Sequence, residues 1–138
     1  VQVAAPLLNV VSDPWRRRMP VSTSADSAGP VSAKLGSVLQ VANKYSWSAE
    51  NNSSSIQTIN VVVRVEIEGK SFVNEIRVEN LSLAPGEKQS EKAAVFLSLT
   101  PDSTGTYKVK STTAIEGGAA IGGPKNSVAT NWSFMVSA

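Results

Sequence analysis

The sequence predicts an all-β protein, an antiparallel β-sandwich over residues 31–138 preceded by an extended N-terminal arm, residues 1–30. Two patterns support this fold class. Thr58–Glu68 carries an apolar residue at every second position, which is the side-chain period of a strand and cannot form a helical stripe. Turn-forming residues recur every 10–15 residues, a spacing that suits a sandwich.

The composition narrows the possible functions. The chain has 138 residues, 41% apolar and 17% charged, with a net charge of +2, so neither a nucleic-acid surface nor a membrane surface is indicated. No stretch approaches the ~20 apolar residues of a membrane span. The chain begins at Val1 and is poor in charge and rich in serine, threonine and asparagine. These features predict an extracellular or cell-surface protein, and the first residue indicates either that a leader was removed or that the chain was shortened at its start.

The absence of histidine and cysteine limits the chemistry. It excludes Ser-His-Asp and Cys-His catalysis, and also zinc, haem and iron–sulfur ligation through those side chains. We therefore predict no enzyme activity, no metal and no cofactor.

The arm differs from the rest of the chain. The arm contains four of the seven prolines, Pro6, Pro14, Pro20 and Pro30. This spacing predicts that the arm forms neither a helix nor a central strand. Short extended pieces are possible at Val1–Ala5 and Leu7–Val11. Residues 22–29, rich in serine, are interpreted as a linker.

The strands of the sandwich follow in order. Leu35–Trp47 is an alternating strand with Asn43 as an exception, and residues 50–55 form a polar loop. The strand Thr58–Glu68 turns at Gly69-Lys70 into a second strand, where Phe72, Ile76 and Val78 are expected to face inward. Three further alternating segments complete the fold, separated by turns at residues 83–87 and 101–105 and a glycine-rich loop at residues 117–124. The predicted core comprises Ile59, Val61, Val63, Val65, Val95, Leu97, Tyr107, Val109, Trp132 and Phe134.

This order of elements resembles a known group of folds. The polar loop, the valine-rich strand, the turn Ala84-Pro85-Gly86-Glu87 and the segment Gly105-Thr106-Tyr107 are similar to those of immunoglobulin- or fibronectin-III-like sandwiches, in particular the CARDB modules of bacterial and archaeal surface proteins. The resemblance covers residues 31–138. It implies that Tyr107 is a corner tyrosine that ties a turn to a strand. It does not imply one function, because such modules do many jobs.

Carboxylates on the hairpin are the first candidate site. Glu66, Glu68, Glu75 and Glu79 would face outward, where paired carboxylates suit a glycosidase or a calcium ion. Arg64, Lys70 and Arg77 are interleaved with them, and cross-strand ion pairs on a solvated face explain the pattern better. Asp102 supplies a single carboxylate in a turn, which is too few for calcium.

Aromatic side chains and sequons are the remaining candidates. Tyr45, Trp47 and Trp132 alternate in phase with apolar neighbours, which favours core packing over a sugar-stacking platform. Four Asn-X-Ser sequons are possible glycosylation sites if the source organism glycosylates its exported proteins. They begin at Asn51, Asn52, Asn80 and Asn131.

Two functions remain open. The first is a structural subunit of a filament, sheath or capsid-like assembly, with other copies of the chain as partners. The second is a secreted carbohydrate-binding or adhesion module. A long arm able to reach a neighbour favours the first, with residues 1–20 contacting the neighbour more than their own sandwich. The alternative is that the arm forms the first strand of its own sheet. The residues expected to make the assembly contact are Leu7, Leu8, Val10, Trp15, Arg16, Arg17 and Arg18.

Overall fold

The computed structural model describes residues 19–117 and 126–138, which form eight strands and no helix. The strands are β1 (Val21–Ala28), β2 (Ser32–Lys34), β3 (Leu39–Glu50), β4 (Gln57–Ile67), β5 (Val73–Leu83), β6 (Lys88–Leu99), β7 (Gly105–Glu116) and β8 (Asn126–Ser137).

The strands build two sheets that pack face to face. One sheet has three strands in the order β1-β3-β6, and the other has five in the order β2-β8-β7-β4-β5. Every pairing is antiparallel except that of β2 with β8. The antiparallel immunoglobulin-like sandwich predicted from the sequence is therefore confirmed.

The strand directions define two ends of the sandwich. The end that holds Met19, Pro20 and the turn at residues 84–87 is called the N-end. The opposite end, which holds the turn at residues 101–104 and Ala138, is called the C-end. The described chain therefore enters the sandwich at one end and leaves it at the other.

The alternation of β4 appears directly in the burial of its side chains. Val61 and Val63 are 1% exposed, whereas Val62 and Arg64 on the other face are half-buried. Nine of the ten predicted core residues are buried, and Trp132 is half-buried against the core. The strand period was thus sufficient to identify the inner face.

The linker predicted at residues 22–29 is wrong. Val21–Ala28 forms β1, which pairs along its whole length with β3. Met19 is also buried in the core, and the carbonyl of Pro20 accepts a hydrogen bond from Glu50 N at 3.0 Å. The described part of the predicted arm thus supplies the first strand of its own sheet. Residues 1–18, with Val1–Ala5 and Leu7–Val11, lie outside the described residues, as does most of the glycine-rich loop.

The inward-facing positions of β5 are more exposed than predicted. Ile76 and Val78 lie beside the buried Val63 and Val61, yet they are 38% and 37% exposed. The facing sheet is two strands narrower, so it does not cover this edge. A bulge at Asn80, with φ 56°, changes the register of β5 with β4.

The two turns that carry the family resemblance have the expected geometry. Pro85 and Gly86 occupy the central positions of a turn closed by Glu87 N donating to Ala84 O at 2.9 Å, and φ of Gly86 is 82°. The hydroxyl of Tyr107 lies 3.0 Å from Ser103 O and accepts from Ser103 N at 3.2 Å. Tyr107 is therefore a corner tyrosine.

Candidate interaction site

The seven predicted assembly residues, from Leu7 to Arg18, lie outside the described residues. Their point of attachment is described, because Met19 is fixed in the core at the N-end. Residue 18 therefore joins the sandwich at its N-end, opposite to Ala138.

Strand β8 has one open edge among the described residues. Its inner neighbour β7 pairs with it over its whole described length. On its other side β2 pairs only with Met135–Ser137, so Asn126–Phe134 has no strand partner on that side in the described part of the chain. This nine-residue segment is called the β8 edge.

The inner face of the β8 edge is incompletely covered. Val128, Thr130 and Trp132 point toward the facing sheet but are only half-buried. The Trp132 ring lies against Gly29, where an added Cβ would be 2.8 Å from a ring carbon. Trp132 Nε1 is buried and has no hydrogen-bond acceptor among the described residues. The accessible part of Val128, Thr130 and Trp132 is therefore surface that a further chain segment could cover.

A buried polar network, which the sequence reasoning missed, joins the two sheets. Asn43 is fully buried, and its Nδ2 lies 3.2–3.3 Å from Arg64 O, Thr112 O and Thr113 Oγ1. Ser27 Oγ on β1 is hydrogen-bonded to Ser111 Oγ on β7. The one signal was the polar Asn43 on an otherwise apolar face, because a buried amide must find partners.

Two of the four hairpin carboxylates, Glu66 and Glu75, form ion pairs with the interleaved arginines, whereas Lys70 pairs with Asp102 instead. Arg64 contacts Glu66 and Glu75 at 3.0 and 3.4 Å, and Arg77 contacts Glu75 at 2.7 Å. The hydrogen bond from Arg77 holds the pKa of Glu75 below its ordinary value. These pairs are solvent-exposed and so contribute little stability. Among the described residues, no group of three or more aspartates and glutamates is arranged to hold a metal ion.

Asp102 acts within the tyrosine corner. Its carboxylate lies 3.1 Å from the Tyr107 hydroxyl and 3.6 Å from Lys70 Nζ. The hydrogen bond from Tyr107 lowers the pKa of Asp102, and Lys70 adds to the effect. Lys70 Nζ also lies 4.8 Å from the centre of the Tyr107 ring. The turn at residues 101–104 is thus held against the β4–β5 turn.

The aromatic side chains mainly fill the core. Tyr45 and Trp47 are buried, and the Tyr45 hydroxyl donates to Glu91 at 2.8 Å. Burial, followed by this hydrogen bond, raises the pKa of Tyr45 to about 12. Phe96 is 50% exposed and stands alone on the outer face of its sheet. The described residues therefore present no row of exposed aromatic side chains.

The four sequons differ in accessibility. Asn52, Asn80 and Asn131 are exposed, whereas Asn51 is fully buried. Asn51 Nδ2, the atom that would carry a glycan, donates to Ser55 O and Leu83 O at 2.8 Å each. A glycan would replace one of the two Nδ2 hydrogens, break at least one of these bonds and require space at a fully buried position, so the folded domain does not accommodate modification at Asn51.

Within residues 19–117 and 126–138, the structure contains no helix of the length and apolarity needed to cross a membrane.

The chain is similar to two solved domains of archaeal proteins. The CARDB domain of a Pyrococcus furiosus protein, crystallised in complex with di-metal ions, is 17% identical, with 86% of this chain and 89% of that chain covered and a TM-score of 0.46. A PKD domain of an M14-like peptidase from a Thermoplasmatales archaeon is 16% identical, with coverages of 83% and 93% and a TM-score of 0.43. The likeness to both domains concerns the fold alone.

The immunoglobulin-like sandwich predicted from the sequence is confirmed by the order and pairing of the strands, and the similarity to a CARDB domain is one of fold. No protein-family model matches the chain, and no curated protein matches it.

Proposed function

We propose that this protein is a non-enzymatic structural subunit of an extracellular or cell-surface assembly, a filament, sheath or capsid-like layer, in which residues 1–18 of one copy bind a neighbouring copy. The observation that carries the proposal is that residues from Met19 onward already supply both sheets and their core. Residues 1–18, with Leu7, Leu8, Val10 and Trp15, precede these two sheets in the sequence and supply the contact in this proposal.

The length of the arm supports a contact between copies. Because β1 belongs to the sandwich, the arm is shorter than the thirty residues inferred from composition. Its eighteen residues still reach up to ~60 Å when extended. A 12-residue strand such as β3 is only about 40 Å long. The arm is thus long enough to leave its own sandwich and lie along another, which is a common way of building polymers from sandwich domains.

The alternative function, a carbohydrate-binding or adhesion module, has less support. Sugar platforms use exposed aromatic rings, and the described surface offers Phe96 alone. Trp15 lies outside the described residues. Retention on insoluble polysaccharide by a monomeric protein would favour this alternative.

Deletion of residues 1–18 tests the proposal. The deletion stops before Met19, because that side chain is part of the core. We expect the full chain to form ordered, concentration-dependent assemblies in electron micrographs and in sedimentation. The truncated chain should remain monomeric with an unchanged urea midpoint.

Three results would contradict the proposal. The first is that the truncated chain assembles as well as the full chain. The second is that the full chain stays monomeric at high concentration, and the third is that truncation lowers the urea midpoint of a monomer. The last result would mean that the arm packs on its own sandwich. The full-length control is Asn52→Ala, a change at an exposed position of the β3–β4 loop that should affect neither assembly nor stability.

A further inference from the structure

The open edges of the two sheets, which lie on β1, β6, β5 and the part of β8 beyond the short β2, differ in how they are protected against pairing with another chain. Exposed edges attract further strands, and proteins usually protect them with charges, prolines or bulges. Strand β5 carries Glu75, Arg77 and Glu79 and a bulge at Asn80. Strand β6 carries Lys88, Glu91 and Lys92, and β1 carries Asp26. Each of these edges has at least one protective feature.

Strand β8 has none of these features. Its twelve residues, NSVATNWSFMVS, include no charged residue, no proline and no glycine. Its only partner on the open side, among the described residues, is β2, a strand of three residues. Valine, threonine and aromatic residues also give it a high strand propensity. The β8 edge is therefore the unprotected edge of the described sandwich.

The half-buried inner face of β8 indicates what a partner must supply. An added strand would extend the five-stranded sheet by one position and place apolar side chains beside Val128, Thr130 and Trp132. A strand with apolar residues on one face and a polar residue on the other fits these requirements.

We propose that Leu7–Val11 of a second copy pairs with the β8 edge as an added parallel strand. This inference rests on the proposed function and names its acceptor site. The segment LLNVV places Leu8 and Val10 on one face, and Asn9 at the centre of the other face between Leu7 and Val11. Leu8 and Val10 then extend the core, and Asn9 joins the polar outer face beside Asn131. Pro6, which has no N–H group, precedes the paired segment.

The distances are consistent with a head-to-tail arrangement. Suppose that the N-end of one copy adjoins the C-end of the next. Followed from residue 18 back toward residue 1, the arm of the first copy then runs along β8 of the second copy from Phe134 toward Asn126. The arm then lies parallel to β8, in the same direction as β2. Residues 12–18 must pass the three β2 pairs, about 10 Å, and seven extended residues reach about 23 Å. Leu7–Val11 fills about 17 Å of an edge about 30 Å long.

The direction of the strand separates this arrangement from pairing within one copy. The arm leaves its own sandwich at the N-end, near Asn126. To pair with its own β8, the arm followed from residue 18 back toward residue 1 would run toward the C-end. The arm and β8 would then be antiparallel. Pairing within a copy and between copies therefore differ both in strand direction and in the number of chains joined.

Disulfide trapping tests the acceptor site, since the chain contains no cysteine. The test variants combine Asn9→Cys with Asn131→Cys or Ser133→Cys, both exposed positions on the outer face of β8. Paired strand residues lie within the Cα separation that a disulfide requires. The matched control combines Asn9→Cys with Ser82→Cys, an exposed position on the β5 edge. Full-length variants are oxidised mildly under assembling conditions and analysed by non-reducing electrophoresis and mass spectrometry.

We expect a ladder of disulfide-linked chains from the β8 variants, at least tenfold more abundant than from the β5 control, and lost on dilution before oxidation. A product with the length of one chain and an internal disulfide overturns the proposal, because the arm then pairs within its own copy. A ladder from the β5 control alone overturns the β8 site but leaves the proposed function intact. No cross-linking in a chain that is also monomeric overturns both.

Discussion

Replacement of Asn51 by alanine is expected to destabilise the sandwich strongly. Asn51 is fully buried, and its side chain makes three hydrogen bonds to backbone groups. It donates to Ser55 O and Leu83 O at 2.8 Å and accepts from Ser53 N at 2.9 Å. The side chain thereby connects the β3–β4 loop to the end of β5.

The magnitude follows from these three bonds. A net contribution of about 1 kcal/mol each gives a loss of about 3 kcal/mol, since the variant removes all three bonds of the buried amide to the backbone. A domain of this size has a free energy of unfolding of roughly 5–15 kcal/mol, so the loss is a large fraction of the total. The melting temperature should fall by roughly 10–15 °C.

Urea unfolding followed by tryptophan fluorescence measures the effect, with Trp47 and Trp132 as probes in the two sheets. The matched control is Asn52→Ala, which removes the adjacent exposed asparagine and should change the free energy of unfolding by less than about 0.5 kcal/mol. If Asn51→Ala loses less than about 1 kcal/mol, or if both variants lose the same amount, Asn51 does not have the structural role inferred here.

Three further changes test other parts of the structure. Tyr107→Phe keeps the ring and removes the hydroxyl that bonds the Ser103 backbone, so urea unfolding should show a loss of about 1–2 kcal/mol; an unchanged midpoint would exclude a stabilising corner. Gly29→Ala places a Cβ 2.8 Å from the Trp132 ring, so we expect a loss of about 1–3 kcal/mol and altered tryptophan emission; a neutral effect on both would show that the ring shifts freely. The pKa of Tyr45 is raised to about 12 in the folded state, so the unfolded chain releases this proton first and stability should fall, by up to about 3 kcal/mol, as pH rises from 10 to 12. Urea midpoints across this range should fall less in Tyr45→Phe, and equal slopes would refute the assignment.

The sequence predicted the strands whose burial follows a simple alternation. In β4 the valines and isoleucines occupy every inner position, so the period of two identifies both the strand and its buried face. β1 escaped prediction because its inner positions include Thr23, Ala25 and Ser27, which carry little hydrophobic signal. Its conformation is determined by eight backbone pairs with β3, which local propensity does not register.

The candidate site was less predictable, because it depends on the relative widths of the two sheets and on edge pairing. The period of β5 was read correctly, but no local pattern shows that the facing sheet ends before Ile76 and Val78. The β8 edge also becomes apparent only once β2 is known to pair with three of its residues. Asn51 was interpreted as a sequon, since burial of a loop amide depends on contacts from β5 that are distant in sequence.

The entry of the chain at the N-end and its exit at the C-end determine how the domain bears mechanical load. Tension between residue 19 and residue 138 pulls β1 toward one end and β8 toward the other. The hydrogen bonds of β1 with β3, and of β2 with β8, are then perpendicular to the force. Bonds in this geometry are sheared together, whereas force applied across a strand end would break them one at a time. A row of such domains joined end to end would resist stretching along its axis through the strand pairs nearest its two attachment points.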